Sequence, residues 1–361
     1  MTNGEFDVPV VLMIFNRPDH TRAVFERIAA IRPRRLFVIA DGPRPDRPDD
    51  ARRCADSRAI LDRLDWNCDL NTNFAERNLG CRGRTPGGLD WVFGQVDCAI
   101  ILEDDIIPDL SFFRFCAELL ERYAEDGRIR TISGNNFLFG KRRSPWSYHF
   151  SNIHNLWGWA TWRRSWLKVD WAMRQWPEVR DGGWLVDMVG KDLADFWVWR
   201  LEATYRGQLD AWDYQYYLSC WLDGSLAVAP DRNLVSNVGI GSDATHTIAP
   251  APYLNCPAEL MDFPLVHPPF MVCDRVSDQE TYKRRLRPEQ GSSLRRTVQH
   301  IQYLLSSKKD ALSVKLGQGR LIERLDRVEA TARTRDPTGT NRAPRDSELK
   351  HVTDAGSHQP C

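Results

Sequence analysis

The chain has 361 residues, of which 42% are hydrophobic and 27% charged, as expected for a globular protein with one large domain or two. Its 49 basic and 49 acidic residues balance, so the overall charge gives no support to a nucleic acid partner, and none is expected. The nine cysteines are odd in number and form no CxxC pair, which argues against a disulfide framework or a zinc knuckle.

The first elements of the chain predict parallel strands joined by a helix. Residues 8–15 are a continuous apolar, β-branched run, typical of a strand that is buried on both faces. Pro18 and Asp19 are helix start signals, and Pro33 ends the helical spacing of apolar residues that follows them. Residues 35–40 predict a second buried strand, so this part of the chain reads as a β-α-β unit.

The same alternation continues beyond this unit. The sequence predicts a helix over residues 51–64, a strand over 67–74, a helix over 87–93 and a strand over 98–102. Alternating strands and helices predict the α/β class, with a mostly parallel, Rossmann-like sheet flanked by helices. In such sheets the ligand site lies at the carboxyl ends of the strands.

The two ends of the chain differ in charge. Residues 8–15 are about half as long as a membrane span, and they follow Glu5 and Asp7 rather than basic residues, so we expect a cytoplasmic protein. From Arg275 onward there are 18 basic and 11 acidic residues. We predict a domain at residues 1–275, a basic helical extension at 276–335 and a disordered tail at 336–361. The extension either lies on an anionic membrane surface or packs on the domain.

Three adjacent carboxylates, Glu103, Asp104 and Asp105, follow the apolar strand predicted at residues 98–102. Like charges repel, and the repulsion grows as the local dielectric constant falls. A divalent cation such as Mn²⁺ or Mg²⁺ is the simplest remedy, because it accepts carboxylate oxygens and shares its remaining positions with phosphates. The alternative is that these acids cap the next helix, near Pro108, or lie in a solvated loop.

The order of these motifs resembles that of GT-A nucleotide-sugar glycosyltransferases, most closely the inverting N-acetylglucosaminyltransferase I type and related bacterial sugar transferases. The resemblance covers about residues 8–246 and is most specific at the acidic motif, its PDLSFF continuation and the WGW segment at 157–159. It implies a GT-A fold with a mostly parallel mixed sheet and a Mn²⁺ or Mg²⁺ cofactor. It also implies a nucleotide-diphosphate sugar donor, with a UDP-sugar favoured, and a glycan or glycolipid acceptor.

The resemblance also implies roles on the donor side. Asp105 would bind the metal directly, while Glu103 and Asp104 would contact the nucleoside and ribose. On a regular strand Asp104 would face away from its two neighbours, so the direct metal role is given to Asp105 alone. Arg17 would meet the pyrophosphate and Asp41 the base. Their alternatives are a surface arginine and a simple turn.

Three further residues join the donor side of the predicted site. Phe15 ends the first strand, directly before the Asn-Arg pair. Arg82 lies in a glycine-containing loop at residues 78–84, where amides and a guanidinium can hold phosphate, although a turn with a solvent-facing arginine is the alternative. His246 follows two glycines in a loop that could close over the phosphates as a metal or pyrophosphate ligand; the alternative is a histidine without a ligand role.

The acceptor side is predicted from tryptophan-rich sequence. Asp213, which follows Trp212, matches the aspartate base of the family, and the alternative is a helix N-cap. Trp157, Trp159 and Trp212 are the tryptophans predicted to lie near a sugar. Gly158 between the first two permits a close backbone approach.

Together these features predict a metal-dependent inverting glycosyltransferase that acts in bacterial surface polysaccharide or glycolipid synthesis. One alternative is a non-catalytic nucleotide-sugar or carbohydrate-binding module, which would hold the metal but place no base. A second is a sugar nucleotidyltransferase, which would carry a GxGTR-type loop after the first strand, where this chain has Phe-Asn-Arg-Pro.

Overall fold

The computed structural model describes residues 6–239 and 256–286. Its strands are β1 (Val10–Ile14), β2 (Arg35–Ala40), β3 (Asp69–Phe74), β4 (Cys98–Glu103), β5 (Ile106–Pro108), β6 (Ile129–Ser133), β7 (Tyr148–Ser151), β8 (Trp159–Trp162), β9 (Leu226–Pro230) and β10 (Val235–Asn237). Its α-helices are α1 (Pro18–Ile31), α2 (Asp50–Arg58), α3 (Gly80–Phe93), α4 (Leu110–Arg122), α5 (Arg163–Trp166), α6 (Trp176–Asp181), α7 (Leu185–Val189), α8 (Lys191–Tyr205), α9 (Asp213–Leu222) and α10 (Arg275–Thr281). A 3₁₀ turn follows α2 at Ala59–Arg63, and a π-helical turn follows α10 at Tyr282–Leu286.

One eight-stranded sheet organises these elements, with the strand order β3-β2-β1-β4-β8-β6-β9-β7. Six of its strands run in one direction, and β8 and β7 run in the other. The short strands β5 and β10 form a separate antiparallel pair. The predicted α/β class with a mostly parallel mixed sheet flanked by helices is therefore confirmed.

The strands β1 and β2 are apolar on both faces, which explains their continuous hydrophobic runs in the sequence. Val10 and Leu12 of β1 pack on one side in a core that includes residues of α1 and α4. Val11 and Met13 pack on the other side with residues of α3, α8 and α9. Because successive side chains of a strand point to opposite faces, a strand between two helical layers has no polar face.

The strand order changes direction beside β1. The chain builds β2 and β3 outward on one side of β1 and then returns to place β4 on the other side. Because β1 and β4 are parallel neighbours, their carboxyl ends lie side by side. The loops that follow these two strands run apart from each other. A crevice therefore forms at this edge, and the residues after β1, β2 and β4 surround it.

Helix α3 begins at Gly80, seven residues before the predicted start at residue 87, so the glycine-containing loop at 78–84 is largely the first turn of a helix. Glycine and proline disfavour helix in isolation, which misled the sequence prediction. Tertiary contacts compensate for this low helix propensity, as the packing of Gly88 shows. A Cβ atom at that position would lie 2.6 Å from Ile39 Cγ2 of β2, so the glycine permits close packing of α3 on the sheet.

Residues 275–286, which follow the domain end predicted at residue 275, pack against earlier parts of the chain. The Asp278 carboxylate of α10 accepts hydrogen bonds from Ser151 Oγ (2.5 Å) and Asn152 N (2.9 Å), and Tyr282 is 7% exposed and packs against Phe196. Residues 275–286 therefore belong to the body of the protein. The rest of the predicted extension, the predicted disordered tail and the predicted membrane contact lie outside the described residues. No helix within 6–239 and 256–286 combines the length and apolarity needed to cross a membrane.

The packing of residues 275–286 is testable by stability measurements. Tyr282→Ala should lower the free energy of unfolding by about 3 kcal/mol, because it removes a large buried ring and leaves a cavity. Lys283→Ala is the matched control, since the neighbouring lysine side chain is exposed. Urea denaturation of both variants measures the difference, and equal stabilities would show that the segment does not contribute to the body.

Candidate functional site

A cleft of about 290 Å³ opens at the edge of the sheet where β1, β2 and β4 end. Five of the residues predicted for the donor side line it: Phe15, Arg17, Asp41, Glu103 and Asp104. Asp105 follows directly and bonds to Arg17 beside the cleft. The structure thus brings together residues that the sequence spreads over almost 90 positions, because the carboxyl ends of neighbouring parallel strands meet at one edge.

Arg17 bridges two of the three adjacent carboxylates. Its Nη2 atom donates to Asp104 Oδ1 at 2.5 Å, and its Nη1 atom donates to Asp105 Oδ2 at 2.9 Å. The side chains of Asp104 and Arg17 are 3% and 14% exposed, so the contact is shielded from water. Asp104 Oδ2 also accepts a hydrogen bond from Phe15 N at 3.2 Å, which fixes the carboxylate against the end of β1. The guanidinium therefore offsets part of the repulsion within the acidic turn.

The third carboxylate of the turn, Glu103, is compensated less, because burial outweighs the charge of Arg17, which acts to lower its pKa. Burial, together with the charges of Asp105 and Asp104, raises the pKa of Glu103 to about 8. Burial also raises the pKa of Asp104 to about 6, although the charge of Arg17 opposes this. For Arg17, burial alone would lower the pKa, but the two aspartates outweigh it and raise it. With all three acids ionised, the turn would carry more negative charge than one arginine balances, and a cation bound there would favour the ionised form of Glu103.

One oxygen of Asp105 fits the predicted cation. Asp105 Oδ1 is buried and has no hydrogen-bond partner among the described residues. The chain before residue 240 passes directly over this carboxylate, since a Cβ atom on Gly239 would lie 1.9 Å from Asp105 Oδ2. His246, the second predicted ligand, lies outside the described residues.

The donor set around Asp105 is incomplete by itself. Within the described part of the chain, no group of three or more histidine, cysteine, aspartate or glutamate side chains is arranged to hold a metal ion. Magnesium-like ions are commonly held by one or two carboxylates and completed by phosphate oxygens and water. Asp105 fits that pattern, in which a diphosphate supplies the further ligands.

Asp41 joins the end of β2 to the start of α3. Its carboxylate accepts hydrogen bonds from the backbone N atoms of Gly42 (2.8 Å), Leu79 (2.9 Å) and Gly80 (3.1 Å), and from Asn78 Nδ2 (3.0 Å). Burial raises the pKa of Asp41 even though the backbone hydrogen bonds oppose the change. The side chain lines the cleft and holds the loop that precedes α3, and its contact with a base stays a prediction.

The first turn of α3 is arranged differently from the predicted phosphate loop. The carboxylate of Asp210 accepts hydrogen bonds from Cys81 N (3.2 Å) and Arg82 N (2.8 Å), so an aspartate occupies the place foreseen for phosphate. The Arg82 guanidinium lies near Gly207, and Arg82 is not one of the residues that line the cleft. Arg84 lines the cleft instead, and it donates from Nε to Ala40 O at 3.1 Å and from Nη2 to Asn73 Oδ1 at 2.8 Å.

A second arginine missed by the sequence analysis borders the cleft beside Phe15. The Arg44 guanidinium lies 5.3 Å from the centroid of the Phe15 ring. Asp50 holds Arg44 in place, accepting from its Nε at 2.6 Å, and also accepts from Asn16 Nδ2 at 2.7 Å. Asp50 is 3% exposed, and no local pattern in the sequence distinguishes it from the neighbouring surface acids.

Asp213 is the first residue of α9 and is half-buried. Trp212 occupies the N-cap position, and no side-chain capping bond is formed there, so the alternative of Asp213 as the N-cap is not what the structure shows. The charge of Asp213 contributes to raising the pKa values of Glu103 and of Cys81, after burial, which is the larger cause for both. Asp213 therefore lies close to the acidic turn.

The tryptophans predicted to contact sugar divide into two groups. Trp159 is fully buried and stacks on Trp212, with ring centroids 5.9 Å apart, and Trp212 is itself 5% exposed. This corrects the expectation for both rings, which pack the core behind the site because burial of such large rings is strongly favourable. Trp157 is half-buried, beside the Arg285 guanidinium. Gly158 has φ +57°, and a Cβ atom there would lie 2.7 Å from Val235 Cγ1, so the glycine permits close packing against Val235. Its place beside a sugar stays a prediction.

No known family model matches the chain, and no curated protein is significantly similar to it in sequence. The function of the site therefore has to be inferred from its own residues and their geometry.

The bridge made by Arg17 should be important for stability. Arg17→Met should lower the free energy of unfolding by about 3–5 kcal/mol, because it leaves two buried carboxylates without their partner. Adding Asp104→Asn should recover part of this loss, since one of the opposing charges is then removed.

The matched control for this prediction is Arg52→Met on α2. Arg52 and Asp56 form a pair at 3.1 Å whose side chains are 69% and 48% exposed, and such surface pairs contribute about 1 kcal/mol or less. Guanidinium chloride denaturation compares the variants. Equal losses for Arg17→Met and Arg52→Met would contradict the importance assigned to the buried bridge.

Proposed function

We propose that the chain is a metal-dependent inverting glycosyltransferase with a GT-A fold, which moves a sugar from a nucleoside-diphosphate sugar to an acceptor hydroxyl. The observation that carries this proposal is the acidic turn at residues 103–105, which follows β4 at the edge of the sheet where the cleft opens. The turn is close enough to Asp213 for the charge of Asp213 to contribute to the raised pKa of Glu103. The reversed strands β7 and β8 in a mostly parallel sheet are compatible with the GT-A expectation.

The donor would lie in the cleft with its diphosphate beside Asp105. A Mn²⁺ or Mg²⁺ ion held there would supply positive charge to stabilise the departing nucleoside diphosphate. Glu103 and Asp104 would face the nucleoside and ribose, and Arg17 holds Asp104 and Asp105 in place. The cleft volume of about 290 Å³ is near the lower end of the range for small-molecule sites.

Asp213 would act as the base of the reaction. It would take the proton from the acceptor hydroxyl while that oxygen attacks the anomeric carbon, and the bond between that carbon and the diphosphate oxygen breaks. Its place at the start of α9, beside the acidic turn, supports this role. Trp157 and Gly158 lie on the loop that enters β8 at the same edge of the sheet.

A glycan or glycolipid acceptor, a role in bacterial surface polysaccharide synthesis and a cytoplasmic location follow from the resemblance and from the sequence pattern. A UDP-sugar is the favoured donor. A contact of the basic extension with anionic lipid depends on residues beyond 286.

A second candidate function is a module that binds nucleotide sugars without catalysis. One observation favours it: Arg17 already neutralises part of the acidic turn, as in a binding site that is complete without a metal. Asp213 separates the two candidates, since a module that only binds has no need of a base near the anomeric carbon.

Replacing the base should separate binding from transfer. A thermal-stabilisation screen of nucleotide sugars with manganese first identifies the donor. Asp213→Asn should then keep the donor dissociation constant within about threefold and lower the transfer rate by about 10²–10⁴-fold, because the amide retains the shape and loses the basicity.

Asp195→Asn is the control, since Asp195 is exposed on α8. Titration calorimetry measures donor affinity, and product formation measures transfer. Normal turnover in a folded Asp213→Asn protein would remove Asp213 from the mechanism, and donor binding without transfer in the wild type would favour the binding module.

A further inference from the structure

The loop between α8 and α9 is fastened to the first turn of α3 by one side chain. The Asp210 carboxylate accepts from Cys81 N at 3.2 Å and from Arg82 N at 2.8 Å, two residues that lie almost 130 positions earlier in the chain. The first amides of a helix have no partner within the helix, and Leu79, at the N-cap of α3, provides no side-chain bond. Asp210 therefore supplies the missing cap from a distant segment.

The Asp210 carboxylate lies directly against the backbone of Gly80, the first residue of α3. It has φ +71°, where side chains other than glycine are strained, and a Cβ atom there would lie 2.8 Å from Asp210 Oδ2. Any larger residue at this position would both strain the backbone and displace the carboxylate. Gly80 and Asp210 also both line the cleft, so the fastening point borders the candidate site itself.

A second anchor lies between this contact and the proposed base. Trp212 stacks on Trp159 in the core, with ring centroids 5.9 Å apart and ring planes at 27°. Asp213 follows directly and opens α9. The three-residue step from Asp210 to Asp213 is thus held at Asp210 by α3 and at Trp212 by the core.

The geometry points to Asp210 as a positioning residue that fixes the start of α9 against α3, so that Asp213 is held at the donor cleft. This inference rests on the proposed function for the role of Asp213. In this role Asp210 acts through the backbone of its loop and does not contact the reacting atoms. The main donor-side groups, Arg17 and Asp105, belong to the ends of β1 and β4, so donor binding should depend on it only weakly.

Kinetics test the positioning role. Asp210→Ala should lower the turnover number about 10²-fold, the scale of a small misplacement of a reacting group, and leave the donor dissociation constant within about threefold. Asp210→Asn keeps one acceptor oxygen and should regain most of the rate. Gly80→Ala should reproduce the loss from the other side of the contact, and Asp195→Ala should have no effect.

A double-variant cycle distinguishes positioning from general damage. If Asp210 acts through Asp213, Asp210→Ala should reduce the residual rate of Asp213→Asn by no more than about threefold, because the group it positions is already disabled. Independent losses that multiply in the double variant would overturn the inference. Loss of donor affinity in Asp210→Ala, with an unchanged turnover number, would also overturn it.

Hydrogen exchange followed by mass spectrometry tests the contact without any enzymatic readout. In Asp210→Ala, exchange should accelerate in residues 80–84 and also in 211–216, with the rest of the described chain unchanged. Unchanged exchange in residues 211–216 would overturn the inference. If the wild type transfers no sugar, the proposed function fails, and this measurement still decides whether Asp210 fixes the loop.

Discussion

The buried bridge from Arg17 to Asp104 and Asp105 is the interaction on which the site depends. Three carboxylates follow one another at the end of a strand whose four central residues are buried, in surroundings where their repulsion is only weakly screened. Arg17 can offset part of this repulsion because β1 and β4 are parallel neighbours, so the residue that follows β1 lies next to the residues that follow β4. The guanidinium bonds to two of the acids, but among residues 6–239 and 256–286 Asp105 Oδ1 has no hydrogen-bond partner, and the pKa of Glu103 stays raised. The remaining demand for positive charge is the physical basis of the proposed cation and diphosphate site.

The rest of the fold brings distant residues to this edge. Asp41 and Asp210 both bond to backbone amides at the start of α3, so the end of β2 and the start of α9 are fixed to the same helical turn. Glycines make the close approaches possible, at Gly80 against Asp210 and at Gly88 against Ile39. The cleft is therefore bordered by groups held through hydrogen bonds that span large sequence separations.

Local patterns predict β1, β2 and β4, because a buried strand is visible as a short apolar run. The strands β6, β7 and β8, of four or five residues each, are not predicted. The second strand was predicted at its observed bounds of Arg35–Ala40, and the edge that carries the site follows from the alternation of strands and helices. The start of α3 and the roles of Asp210 and Arg84 were missed, because they depend on contacts between residues far apart in sequence. The sequence predicts Trp159 on the sugar side, because it does not reveal which way a large ring points.

The central claim is that the acidic turn is a metal-dependent donor site. Titration calorimetry of the identified nucleoside-diphosphate sugar, with and without manganese, tests it most directly on the wild type and on Asp105→Ala, with Asp97→Ala as the control because that side chain is 92% exposed. The account predicts that manganese strengthens donor binding to the wild type and to Asp97→Ala, and that Asp105→Ala loses this dependence. The same manganese dependence in Asp105→Ala, or no donor binding by the wild type under any condition, would contradict it.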